Sequence, residues 1–161
     1  MYTAECLMEF HERTHQSLTK LIDHCSLFSD DELSKEIDGF GYPSLRLQLH
    51  HAIGAEKYWI GVLKGRIDVE ENESDYSSIE NLKRFHEEVY SATQKYLSTA
   101  SADELNNARP MITWGNKEKT LIPARVITRL LAHIYQHQGQ VAAICRILGK
   151  PIPPGLDYPI E

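Results

Sequence analysis

Apolar residues return at helical spacing in four long stretches of this chain. From about Thr3 to Phe28, the positions Leu7, Phe10, Thr14, Leu18, Leu21, Ile22 and Cys25 line one side, which predicts an amphipathic helix. A second helix is predicted from Leu45 to Lys64, opened by Ser44 and ended by Gly65, with Leu45, Leu49, Ala52, Ile53, Trp59 and Leu63 on its apolar face. A third opens at a capping box formed by Ser77 and Glu80 and runs to about Thr99. The fourth takes Pro123 in its first turn, runs to Leu148, and stops at Gly149 ahead of Pro151.

The breaks between these stretches carry their own signals. SDDEL (29–33) sets Ser29 three residues ahead of Glu32, and SADEL (101–105) repeats the device with Ser101 and Glu104, so each predicts a short capped helical turn. DGFGYPS (38–44) has turn chemistry, and the acidic, polar RIDVEENESDYSS (66–78) reads as an exposed connection. MITWGNKEKTL (111–121) places β-type residues on either side of Gly115-Asn116, as an irregular loop or a small hairpin would. The tail PIPPGLDYPIE cannot continue a helix and is expected to lie across the surface. The order long helix, S-x-D-E-L, Gly-containing loop, histidine-bearing helix occurs twice, either as a diverged repeat or as a coincidence of common capping words. Four long helices with short connections predict an all-α fold, a four-helix bundle forming a single domain over residues 1–161.

Composition narrows the function classes. The formal net charge is −6 and no Lys/Arg cluster stands out, which argues against a phosphate backbone or an anionic membrane surface as partner. The N-terminal MYTAECLMEFHERTH lacks the basic and apolar regions of a signal peptide, so a cytoplasmic location is expected. Cys6, Cys25 and Cys145 never form a CxxC, and indicate neither a disulfide framework nor a thiolate zinc site.

The candidate chemistry lies in the histidines. On the fourth helix Val126, Leu130, His133, His137, Val141, Ile144 and Leu148 fall in one stripe, so two imidazoles four residues apart occupy core positions. Buried imidazoles need partners, and a metal ion supplies one to both rings at once; the alternative is two core histidines hydrogen-bonded to neighbours. A third ligand would come from His50 or His51 on the second helix, or from the HxxxH pair His11 and His15 on the first. His50 and His51 flank the apolar face on opposite sides, and periodicity does not choose between them. His11 and His15 are expected at the half-buried boundary, and His24 and His86 at the boundary or in solvent. Glu56 falls near the centre of an apolar face, as a paired buried acid or as part of a site. Glu56, Tyr135 and Gln140 are candidates for orienting the metal-bound rings. The motifs of nucleotide binding and of serine hydrolases are absent, and HIYQH lacks the glutamate of a metalloprotease HExxH.

LQLHHAIGAEKYWIGVL and HIYQHQGQV together resemble the second- and fourth-helix motifs of the DinB-like (DinB/YfiT-like) family, with Gln138 where the family usually has arginine. The resemblance covers nearly the whole chain. It implies an up-down-down-up bundle, often dimeric, and places the metal ligands on His51, His133 and His137, choosing His51 over His50. Three imidazoles would take a divalent ion, zinc or nickel by preference with iron or manganese as the other options. Some family members resemble thiol-dependent transferases or isomerases, so the function expected here is a metal-dependent transferase acting on a small molecule with a low-molecular-weight thiol. A metal-dependent hydrolase, or a non-enzymatic stress-response binding protein with a structural metal, is the alternative. No catalytic residue is assigned by the resemblance.

Overall fold

The structure, a computed structural model, describes residues 1–67 and 72–160. It contains helices α1 (Ala4–Cys25), α2 (Asp30–Ser34), α3 (Leu45–Leu63), α4 (Ile79–Thr99), α5 (Ala102–Asn106) and α6 (Pro123–Ile147). Strands β1 (Arg109–Thr113) and β2 (Lys117–Leu121) form an antiparallel pair between α5 and α6, so the stretch at 111–121 takes the hairpin option. Of the connection expected at 66–78, residues 68–71 lie outside the described residues; Glu73–Tyr76 forms a 3-10 turn capped by Asn72.

The helix boundaries follow from side chains that satisfy the first free N–H groups. Thr3 accepts from Cys6 N at the start of α1, and Ser44 accepts from Leu47 N at the start of α3. Ser29 and Glu32 form a complete capping box on α2, and Ser101 accepts from Glu104 N on α5. The cap of α4 is Ser78, accepting from Asn81 N, one residue later than the sequence signal. Ser77 is helical, ending the 3-10 turn, whereas Ser78 has the extended backbone a cap requires. No side chain caps α6; Pro123 in its first turn removes one of the orphan donors instead. Gly65 and Gly149, just beyond α3 and α6, adopt φ of 70° and 81°, the left-handed conformation that terminates a helix at little cost for glycine.

α1 packs against α4 and α6, and α3 packs against the same two helices. His11 meets Gln94, and Asp23 meets Lys83, so α1 and α4 run in opposite directions. Gln48 meets Gln140, and Trp59 lies under Arg129, so α3 and α6 also oppose one another. His50 faces Phe85 and Glu56 meets Thr93, which sets α3 and α4 parallel. The core between them holds Leu7, Leu18, Leu49, Ile53, Phe85, Leu97, Leu130 and Ile134, all buried. The tail lies against α1, where Arg13 Nη1 donates to Pro159 O at 2.9 Å and Ser17 Oγ donates to Leu156 O. Among the described residues no helix is long and apolar enough to cross a membrane.

Set into this core are buried polar side chains, among them His11, His15, Gln48, Glu56, Thr93 and His137. Helix α3 distributes them. His51 and Glu56 are five residues apart, roughly 140° around the helix, so one faces α6 and the other faces α1 and α4. The position of α3 therefore sets both groups. Ser44→Ala removes its N-terminal cap and is expected to lower stability by about 1 kcal/mol, measured as a shift in the denaturant midpoint with unchanged slope.

Candidate metal centre

His51 projects from α3, and His133 and His137 project from successive turns of α6. Their ligand-capable ring atoms lie within 4.8 Å of one another. His51 Nε2 and His133 Nε2 are 3.2 Å apart, and the planes of His133 and His137 stand at 82° with centroids 4.4 Å apart. The three rings cluster between α3 and α6, each pair steeply tilted.

The protonation state of His137 follows from Gln48. The Gln48 amide donates through Nε2 to Tyr42 O at 2.7 Å and to Gln140 Oε1 at 2.8 Å. A backbone carbonyl only accepts, which fixes the orientation of the amide. Gln48 Oε1 therefore faces His137 Nδ1, which donates to it at 2.6 Å, and the lone pair of the neutral ring is left on Nε2. Burial, with the neighbouring His133 and His50, lowers His51 to about 4. Burial, with His133 and His51, lowers His137 to about 4, and burial with Arg129 lowers His133. All three rings are thus held neutral near pH 7, the form in which imidazole binds metal.

Beside the triad, a cleft of about 390 Å³ takes His51, His133, Tyr42, Trp59, Trp114 and Arg129 into its wall. Tyr42 stacks on His51 at 3.9 Å between centroids. The hairpin tip stacks Trp114 on Tyr58 in nearly parallel planes, 3.8 Å between centroids, and the Arg129 guanidinium lies 5.4 Å from the centre of the Trp59 ring. His50 points to the other side of α3, against Tyr76 and Phe85. Helical geometry sends the two adjacent histidines to different sides of α3.

A family model for the DinB family matches residues 1–161. The chain belongs to the DinB family. It is 24% identical over 144 residues to the uncharacterized protein YizA of Bacillus subtilis (strain 168), spanning 88% of this chain and 87% of that protein. A crystal structure of a DinB family member from Shewanella denitrificans superposes with a TM-score of 0.62 at 16% identity, over 99% of this chain and 90% of that one. The superposition supports the fold.

Several polar residues of this DinB-family chain lie elsewhere than the sequence suggested. His11 and His15 are not at a boundary; they are 0% and 3% exposed. Both approach Glu56, with His11 Nε2 2.8 Å from Oε1 and His15 Nε2 2.9 Å from Oε2. His86, expected near solvent, is buried and sits 2.8 Å from His15 Nδ1, where burial and the neighbouring His15 lower it to about 4. Glu56 thus supports this second group and not the triad. Burial alone would raise its carboxyl, but His15 and the hydrogen bonding of His11 and His15 outweigh that and hold it below the usual carboxylate range. Tyr135 faces the tail near Tyr158, and Gln140 reaches the triad only through Gln48. His24 is the boundary residue expected, with Nε2 donating to Lys150 O at 2.9 Å.

Sequence reasoning missed Gln48, Tyr42 and Arg129 around the triad. Gln48 had a legible signal, since it lies one helical turn before His51. The first-helix pair had one too: His11 and His15 fall between Leu7 and Leu18 in the same stripe. Gln48→Leu leaves His137 Nδ1 and Gln140 without their buried partner. It is expected to cost about 1–3 kcal/mol of stability and to weaken metal binding by about 10- to 100-fold, measured by denaturant unfolding and competitive chelation.

Proposed function

We propose that His51, His133 and His137 hold a divalent metal, zinc or nickel by preference, in a single-domain protein that acts on a small molecule. The observation that carries this reading is the Gln48 contact. It places the His137 proton on Nδ1 and leaves the lone pair on Nε2, in a ring whose centroid is 4.4 Å from that of His133 and 4.7 Å from that of His51. Two neutral imidazole nitrogens 3.2 Å apart share one proton at best, whereas a cation satisfies both lone pairs and the third. Three protein ligands leave a coordination position for a substrate, the pattern of reactive rather than structural sites.

A low-molecular-weight thiol and an electrophilic partner are the proposed reactants. The bound ion would favour the thiolate over the thiol at that position. Arg129, beside His133 in the cleft wall, offers a positive charge to an anionic group of either reactant. Tyr58, Trp59 and Trp114 supply flat apolar walls that exclude water and seat an apolar group. In the transfer, the sulfur electron pair forms a bond to the electrophilic carbon. The leaving group departs with the electrons of the broken bond, and the thiol proton passes to solvent.

The test is metal content together with thiol response. His51→Ala and His133→Ala are each expected to lose one equivalent of bound metal, and His50→Ala none. Cobalt-loaded wild type is expected to change its visible spectrum when a thiol is added, and to consume thiol when an electrophile follows. A folded His133→Ala protein that keeps the wild-type metal content and thiol response would overturn the assignment.

A further inference from the structure

The second polar group, His11, His15 and Glu56, has no part in the triad. Its ligand-capable atoms also lie within 4.8 Å of one another, and all three residues are buried. We infer that these side chains form a second, independent metal site, in which two imidazoles from α1 and one carboxylate from α3 take a first-row divalent cation.

Three observations carry this. First, His15 Nε2 and Glu56 Oε2 are buried and 2.9 Å apart, and among the described residues neither atom has any other partner. A carboxylate oxygen and an imidazole nitrogen that face each other in a buried pocket can take a cation in place of the proton between them. Second, each of the three side chains is held from behind by a different residue. Thr93 Oγ1 donates to Glu56 Oε1 at 2.6 Å, His86 Nε2 lies 2.8 Å from His15 Nδ1, and the Gln94 amide lies 2.9 Å from His11 Nδ1. Either ring can donate in the His15–His86 contact; when a cation takes the place beside Glu56, His15 Nδ1–H donates to His86 and the His15 lone pair falls on Nε2. Either end of the Gln94 amide can face His11, so that ring can likewise present Nε2. Outer contacts of this kind orient metal-bound imidazoles and carboxylates. Third, the spacing is right. His11 and His15 are one helical turn apart on α1 with ring centroids 4.1 Å apart, and Glu56 reaches them across the core.

The ligand set fixes the class of ion. Two imidazoles and one carboxylate suit zinc, iron(II), manganese or cobalt, and leave open positions. A cavity of about 580 Å³ between α1 and α4 reaches His15 and His86, with Glu12, Asp23 and Glu87 in its wall. Lys20 and Lys83 line the same wall, with Lys83 paired to Asp23, so the approach carries both signs of charge with Glu12 and Glu87 as its other acids. The single Glu56 charge, buried at 0% exposure, gains a permanent counter-charge when the site is loaded.

Stoichiometry separates this site from the triad. Metal-stripped full-length protein is dialysed against zinc or cobalt, and bound metal is counted with helicity checked by circular dichroism. Wild type is expected to bind two equivalents. The His51→Ala/His133→Ala/His137→Ala protein is expected to retain one, and adding Glu56→Gln or, separately, His11→Asn to it is expected to remove that one. Should both additions unfold the protein, X-ray absorption of the zinc-loaded triple variant still decides, with two imidazoles and a carboxylate oxygen expected around the ion. A folded triple variant that binds no metal overturns this inference while leaving the triad assignment intact. A retained equivalent that neither Glu56→Gln nor His11→Asn removes, or an absorption spectrum without imidazole, overturns it too. Loss of one equivalent with Glu56→Gln and none with the triad substitutions would instead refute the triad and uphold the second site.

Discussion

Burying imidazole among leucines is the constraint on which this structure turns. A neutral ring carries one donor and one acceptor, and in a dry helical core each must meet a partner or cost free energy. The chain meets this by giving each buried ring a defined neighbour, and Gln48 is the clearest case. Its amide is oriented by a backbone carbonyl and by Gln140, and so dictates which nitrogen of His137 carries the proton. Without that amide, His137 could turn either nitrogen to His51 and His133. The tautomer of His137 is therefore a property of the first turn of α3 as much as of the histidine itself.

The helices were legible because their signals are local. Stripe periodicity, Ser caps and terminal glycines act within a few residues, and α1, α3, α4 and α6 follow them closely. The one displaced boundary, Ser78 in place of Ser77, arises because a 3-10 turn upstream takes the first serine into helical backbone. His133 and His137 were legible for the same reason, being centred in an apolar stripe. His51 was not, since adjacent residues on a helix differ by about 100° and both flank the apolar face; only the family motif, and then the packing of His50 against Phe85, separate them.

The second group was misread because it is assembled across three helices. His11 and His15 looked peripheral on α1 alone, and Glu56 looked like a neighbour of His51 because both lie on α3. Rotation about that helix sends them to opposite sides, where Glu56 meets α1 and Thr93 of α4. Arg129 and Trp114 escaped for a similar reason, since their roles appear only when α6 and the hairpin tip close on Tyr58 and Trp59. Pairing information of this kind is not present in the period of any one helix.

The most direct test of the central claim is anomalous diffraction from crystals of the zinc-loaded protein, recorded on both sides of the zinc edge. The account places an anomalous peak within bonding distance, about 2.0–2.1 Å, of His137 Nε2, His51 and His133, with His137 Nδ1 still paired to Gln48. A zinc-loaded crystal with no peak at these three rings, or with zinc bonded to His50 in place of His51, would contradict it.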